Sequence, residues 1–244
     1  MKNTYFVFLL FLQNLLPRLS AAQPAVTDSS VYWSTREQLV KLYMDSAREN
    51  LRLYNGTEFT AAYNSSLGHP FFEQPEPEDG TIFYDGIFYP NVKLNFDIIR
   101  DEVIFINQFR NLNVKPAPSK ISWFTLRDHL FVQLFADSTS HNFPGQGFYE
   151  QLHGGEIAAF RKTWKFLHET SRLDEASRYE QLNTYYIRKQ NRYYTIDSKR
   201  ALIALFKDRK ADVAKFIQRE GLNFKKDPAT MLAKVIDFYL NTNR

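Results

Sequence analysis

The sequence predicts an α+β fold: an antiparallel β-meander of about seven to nine strands, with an N-terminal helix and two C-terminal helices packed on it. Two observations carry this reading. Apolar residues recur at helical spacing before residue 56 and after residue 198, and at period two between residues 81 and 167. The period-two segments are joined by short turn signals rather than by helices, which favours neighbouring antiparallel strands over crossover units. Helices grouped at the two ends of such a strand run make an α+β arrangement.

The chain opens with Met1-Lys2-Asn3, an apolar run from Tyr5 to Leu12, Leu15-Leu16-Pro17 and the small residues Ser20-Ala21-Ala22. A basic tip, a short apolar core and small residues at the exit form a secretory signal peptide over residues 1–22, with cleavage expected before Gln23. Export to the periplasm or the extracellular space is the expected consequence. No later stretch reaches the ~20 apolar residues that a membrane helix needs, so no transmembrane segment is expected after cleavage. Residues 23–33 read as a flexible N-terminus and 34–244 as a single α+β domain, with a weaker division near 171–177.

Ser34-Thr35-Arg36-Glu37 fits a capping box. The helix behind it places Leu39, Leu42, Tyr43, Ala47 and Leu51 on one side and ends at Asn55-Gly56, a pair suited to positive φ. Tyr63 to Asp79, rich in Pro, Glu, Ser and Gly, reads as a surface loop. Strands are expected near 81–84, 87–98, 102–108, 120–127, 130–136, 147–152 and 158–167, with turns at Asp85-Gly86, Arg100-Asp101, Asp128-His129 and Gly154-Gly155. In the second of these, Val92, Leu94 and Phe96 alternate with Lys93, Asn95 and Asp97. The first set is assigned to the core and the second to water or a partner, while Phe88 and Tyr89 could serve either face.

A hairpin over 185–197 closes the series, with Tyr185, Tyr186, Tyr193 and Tyr194 as candidate cross-strand pairs. Ser198 caps a helix carrying Leu202, Ile203, Phe206, Val213, Phe216 and Ile217, with Gly221 after it. Asp227-Pro228 then starts a second helix, whose buried stripe is Met231, Leu232, Val235, Ile236 and Tyr239.

The net charge of +4 hides an asymmetry. Gln23 to Glu156 carries 10 Lys and Arg against 17 Asp and Glu, whereas Ile157 to Arg244 carries 19 against 10. The basic excess is interspersed with acids, as in Lys207-Asp208-Arg209-Lys210-Ala211-Asp212, which is the pattern of a solvated helix face. No nucleic-acid motif accompanies it, so no nucleic-acid partner is expected.

Four blocks, "LYNGTEF" (53–59), "GTIFYDGIFYPNVKLNFDIIRDEVI" (80–104), "GFYEQL" (147–152) and "YYIRKQNRYYTIDSKRALIALFKDRKADVAKFI" (185–217), resemble an uncharacterised family of exported proteins from Gram-negative bacteria. The resemblance implies export to a bacterial envelope and implies no activity or site residue.

The chain contains no cysteine, which excludes disulfides, thiolate metal ligands and thiol hydrolases. No G-x-S-x-G elbow and no phosphate-binding glycine loop occurs. The five histidines include no i, i+4 pair; the set nearest to a metal site is Asp137, His141, His153 and Glu156. Asp101-Glu102 and Glu76-Pro77-Glu78-Asp79 offer carboxylates for a glycosidase pair and are read as solvated turn residues. No catalytic residue, metal ligand or cofactor is therefore assigned.

Aromatic residues remain: 14 Tyr, 22 Phe and 3 Trp. Most belong to the core, and Tyr84, Tyr89, Trp123 and Tyr149 are the candidates for stacking on a sugar or shielding an acyl chain. The expected function is an exported, non-catalytic envelope protein with a binding or structural role, its partner an envelope component or a small ligand. A carbohydrate- or lipid-binding module and a secreted hydrolase are the alternatives.

Overall fold

In the computed structural model the described residues are 38–39, 52–60, 68–107, 111–136, 138–168 and 178–241. The signal peptide, nearly all of the N-terminal helix, Asp137 and the stretch 169–177 lie outside them. The sheet and helices all belong to the unit Ser46–Arg244.

Eleven strands form one sheet: β1 (Thr57–Glu58), β2 (Glu78–Tyr84), β3 (Ile87–Asp97), β4 (Glu102–Asn107), β5 (Leu112–Lys115), β6 (Ile121–Leu126), β7 (His129–Leu134), β8 (Gly147–His153), β9 (Ala158–His168), β10 (Arg178–Lys189) and β11 (Arg192–Thr195). Three helices succeed them, α1 (Lys199–Leu205), α2 (Lys210–Arg219) and α3 (Pro228–Asn241). The sheet is larger than the seven to nine strands expected: β1 and β5, too short to show a period, are the two additional strands, and β10 begins seven residues before the predicted hairpin. All the paired strands run antiparallel.

The strand order β1-β5-β4-β3-β2-β6-β7-β8-β9-β10-β11 departs from a single meander. Strands β2 to β5 run outward from β2 in one direction; β6 returns to the other edge of β2, and β6 to β11 run the opposite way. Phe96 on β3 and Phe148 on β8 stand four strand positions apart, about 19 Å in a flat sheet at ~4.8 Å per strand. Their ring centroids are 5.9 Å apart. The sheet is therefore rolled. Phe124 and Phe131 fill the roll with them, Phe124 stacking on Phe131 at 4.8 Å and Phe96 meeting Phe131 edge-on at 5.1 Å.

Residues 68–77 strap one end of this roll. Pro70 O accepts from Ile98 N, Phe96 O accepts from Phe72 N, and Phe72 sets its ring against Phe131 at 5.1 Å. The strap overturns part of the alternation reading of β3. Val92, Leu94 and Phe96 are buried as expected, but so are Asn95 and Asp97. Asn95 Nδ2 donates to Pro75 O at 2.8 Å, and Asp97 Oδ1 accepts from Ile99 N and Arg100 N, so both polar side chains are covered by chain and hydrogen-bonded.

The far end of the sheet is covered by helices. Ala159, Ile187 and Ile196 pack with Leu202, Phe206, Val213, Ile217, Met231, Leu232, Val235 and Ile236 in one buried cluster. The stripe read for α3 is buried as predicted. The single helix expected after Ser198 is instead two. Phe206 leaves helical geometry (φ −102°, ψ 61°) to bury its ring against Tyr239 at 4.5 Å, and Lys207–Arg209 form a 3-10 turn before α2. Ser198 does cap α1, its Oγ accepting from Ala201 N at 3.2 Å.

The tyrosines of the final hairpin do not face one another. Gln190 and Asn191 form a two-residue turn with φ of 50° and 56°, which sets Tyr194 opposite Ile187 and Tyr193 opposite Arg188.

Candidate functional site

Of the four aromatic candidates, Tyr84, Tyr89 and Tyr149 are buried. Tyr149 donates to Gly145 O at 3.0 Å, and burial, with Tyr186 and Asp101 beside it, pushes its phenol well above the ordinary range. Trp123 is half-exposed on the outer face of the roll. Register places it opposite Phe83, which is opposite Phe88, giving one row of rings across β6, β2 and β3. Phe83 and Trp123 lie 8° from parallel at 6.0 Å, and Phe88 meets Trp123 at 6.0 Å.

Asp137 lies outside the described residues, and the other three members of the histidine set are placed as follows. Glu156 is exposed in a turn, and His141 makes a β-bridge to Arg192. His153 links β8 to α3, with Nδ1 at 2.9 Å from Ile157 O and Nε2 at 3.0 Å from Asp237 Oδ1. Its partner Asp237 lies 84 residues away and could not be read from spacing. Among the described residues no group of three or more His, Asp and Glu is placed to hold a metal ion.

Of the turn and loop carboxylates read as solvated, Glu76 and Asp79 are exposed, whereas Asp101 and Glu102 are partly buried and paired. Asp101 accepts from Lys162 Nζ at 2.6 Å and from Phe148 N at 3.1 Å, while Glu102 pairs with Lys115 at 2.9 Å. Lys162 also donates to Phe148 O at 2.8 Å and lies 5.0 Å from the Tyr149 ring centre. Burial lowers its pKa, and Asp101 pulls it back up. This pair binds the β3–β4 turn to β8 and β9 where those two strands part.

A second polar chain crosses the strapped end. Glu150 is held by Arg161 and by His129 Nδ1 at 2.7 Å; His129 Nε2 lies 3.3 Å from Glu73 on the strap, and Arg127 pairs with Glu73 and Glu78. Phe72 packs its ring on His129 at 5.0 Å. Each carboxylate in the chain is matched to a cationic or imidazole partner, which makes it a tie between strap and sheet.

Among the described residues, the largest group of exposed apolar side chains lies elsewhere, on the outer half of β9 and β10. Beyond Arg161, β9 pairs only with β10 among the described residues, so Lys162–His168 and Arg178–Thr184 form a two-stranded ribbon. Trp164, Phe166 and Leu182 are 47%, 41% and 58% exposed. Trp164 and Leu182 are direct register partners, and Phe166 stands two residues along from Trp164 on the same face. Glu180, opposite Phe166, takes an ion pair from Arg178 at 3.1 Å and gives this face a polar rim. The β9 half falls within the strand expected over 158–167, but the β10 half is not legible in the sequence because "RYEQLNT" is mostly polar and shows no buried stripe.

No family model, no curated protein and no solved structure matches the chain. The exposed ribbon face is the strongest structural pointer to function. No helix among the described residues is long and apolar enough to cross a membrane.

Proposed function

We propose that the chain is an exported, non-catalytic binding protein of the bacterial envelope that engages a polypeptide partner through the β9–β10 ribbon. The observation that carries this reading is the Trp164/Phe166/Leu182 face. An aromatic and aliphatic centre with a charged rim is the composition of a protein-binding patch. The ribbon edges favour a polypeptide over lipid: Thr163–His168 and Tyr179–Thr184 have no second strand partner among the described residues. A neighbouring strand can satisfy their backbone groups, whereas hydrocarbon cannot. Export is supported by the pattern of residues 1–22.

A photo-crosslinking residue at position 182 tests the proposal in the native cell, with the same residue at Lys215 on α2 as a control. The expected result is a discrete polypeptide adduct from position 182 that competes away with excess unlabelled protein and is absent from position 215. Adducts to lipid or glycan alone, or equal adducts from both positions, would overturn it.

A second reading, a carbohydrate- or lipid-binding module, is favoured by the Phe88–Phe83–Trp123 row, whose half-exposed rings lie in adjacent strands. It predicts that soluble glycans or short-chain lipids quench or shift tryptophan fluorescence in wild type but not in W123L. An unchanged spectrum across such a panel removes this reading.

A further inference from the structure

A cleft of about 470 Å³ opens between the β10–β11 turn and α1, within the roughly 300–1,000 Å³ range of small-molecule sites. Its shape arises from local sequence. The positive-φ pair Gln190-Asn191 turns the chain tightly enough to set Lys189 directly opposite Arg192, at the mouth. Ala201, Ala204 and Leu205, spaced i, i+3, i+4 along α1, put two small side chains on the facing wall. Ile196 and Tyr194 complete an apolar floor.

The charged groups are unevenly committed. Lys189 Nζ lies 5.2 Å from the Phe206 ring centre and 4.8 Å from that of Tyr239, and donates to Tyr239 Oη at 3.5 Å. Rings hold an ammonium in place without neutralising it. Tyr239 in turn donates to Asp208 Oδ2 at 2.9 Å, so its hydroxyl bridges the ammonium and the carboxylate. Lys207 stands exposed at the rim, so the lining carries two cations and one anion.

We propose that this cleft is a binding site for a small organic anion, a carboxylate with a short apolar body. The anionic group would meet Lys189 and Lys207, and the body would lie on Ile196, Ala201 and Ala204. The site is separate from the β9–β10 ribbon face and does not depend on its partner.

Benzoate is a suitable probe, titrated at constant ionic strength and followed by amide chemical shifts, with benzyl alcohol and inorganic phosphate as comparators. Saturable shifts confined to residues 189–208 are expected for benzoate, with benzyl alcohol and phosphate each at least tenfold weaker. K189M should weaken benzoate at least tenfold while its amide spectrum shows the fold retained. A204W should abolish binding by filling the wall, and D208N should tighten it by removing the opposing charge. Non-saturating shifts, equal binding of phosphate, or benzoate binding that survives both K189M and A204W would overturn the proposal.

Discussion

Lys162 shows how far a single residue's role can depend on a partner distant in sequence. Its side chain is 7% exposed, and its counter-ion, Asp101, is 61 residues away on a turn. Removing one member of such a pair leaves the other inadequately solvated. K162M is expected to cost about 2 to 3 kcal/mol, less than the ~3 to 5 of a fully buried pair because Asp101 stays 29% exposed. Chemical denaturation of K162M and K162M/D101N checks this, the double variant recovering most of the loss. The pH dependence has a definite sign. Burial lowers the folded-state pKa of Lys162 below the ordinary 10.5, so between those two values the unfolded chain binds more protons. Stability from this residue therefore rises with pH across that window, and the wild type should gain on K162M as pH approaches 10.5.

At the scale of elements, Asp227 and Phe206 make contrasting cases. Asp227 caps α3 as its sequence announces, Oδ1 accepting from Thr230 N at 3.0 Å, and hydrogen bonds from Thr230 hold its carboxyl below the usual value. D227A should cost about 1 kcal/mol. The cap's contribution is present above the ordinary carboxylate pKa and is lost as pH falls through the depressed folded value, so acid denaturation curves of wild type and D227A should converge at low pH. Phe206 falls on the helical stripe read from sequence, yet its ring ends the helix. Periodicity records which residues are buried and does not record that the backbone bends to bury them. F206A is expected to cost about 3 to 5 kcal/mol in equilibrium unfolding, the ring being fully buried against Tyr239 and beneath Lys189. The long strands β3, β6, β7, β8 and β9 were legible because each alternates or carries a dense apolar run. β5 has only four residues, and the outer part of β10 is stabilised by pairing with β9 and buries little.

For the unit as a whole, sequence order hid the roll. Only residues 116–120 lie between β5 and β6, and nothing in that stretch signals that β6 returns to pair with β2. The rings of Phe96, Phe124, Phe131 and Phe148 make the closure favourable, a many-body packing term that no local window contains. The candidate surfaces were harder to read. Three of the four aromatic candidates went into the core, and the β10 half of the ribbon, which carries Leu182, offered no periodic signal. Export belongs to the same scale: N-terminal sequencing of protein recovered from its own cells is expected to begin at Gln23, and an intact Met1 would contradict secretion by signal cleavage. Whether the ribbon holds a polypeptide partner is decided most simply by native mass spectrometry of protein gently isolated from its own cells, wild type beside W164S/L182S. A stoichiometric protein complex is expected in the wild type and should be lost in the variant while the fold persists. The bare chain in both, or a small-molecule adduct without a second polypeptide, would contradict a ribbon-held partner.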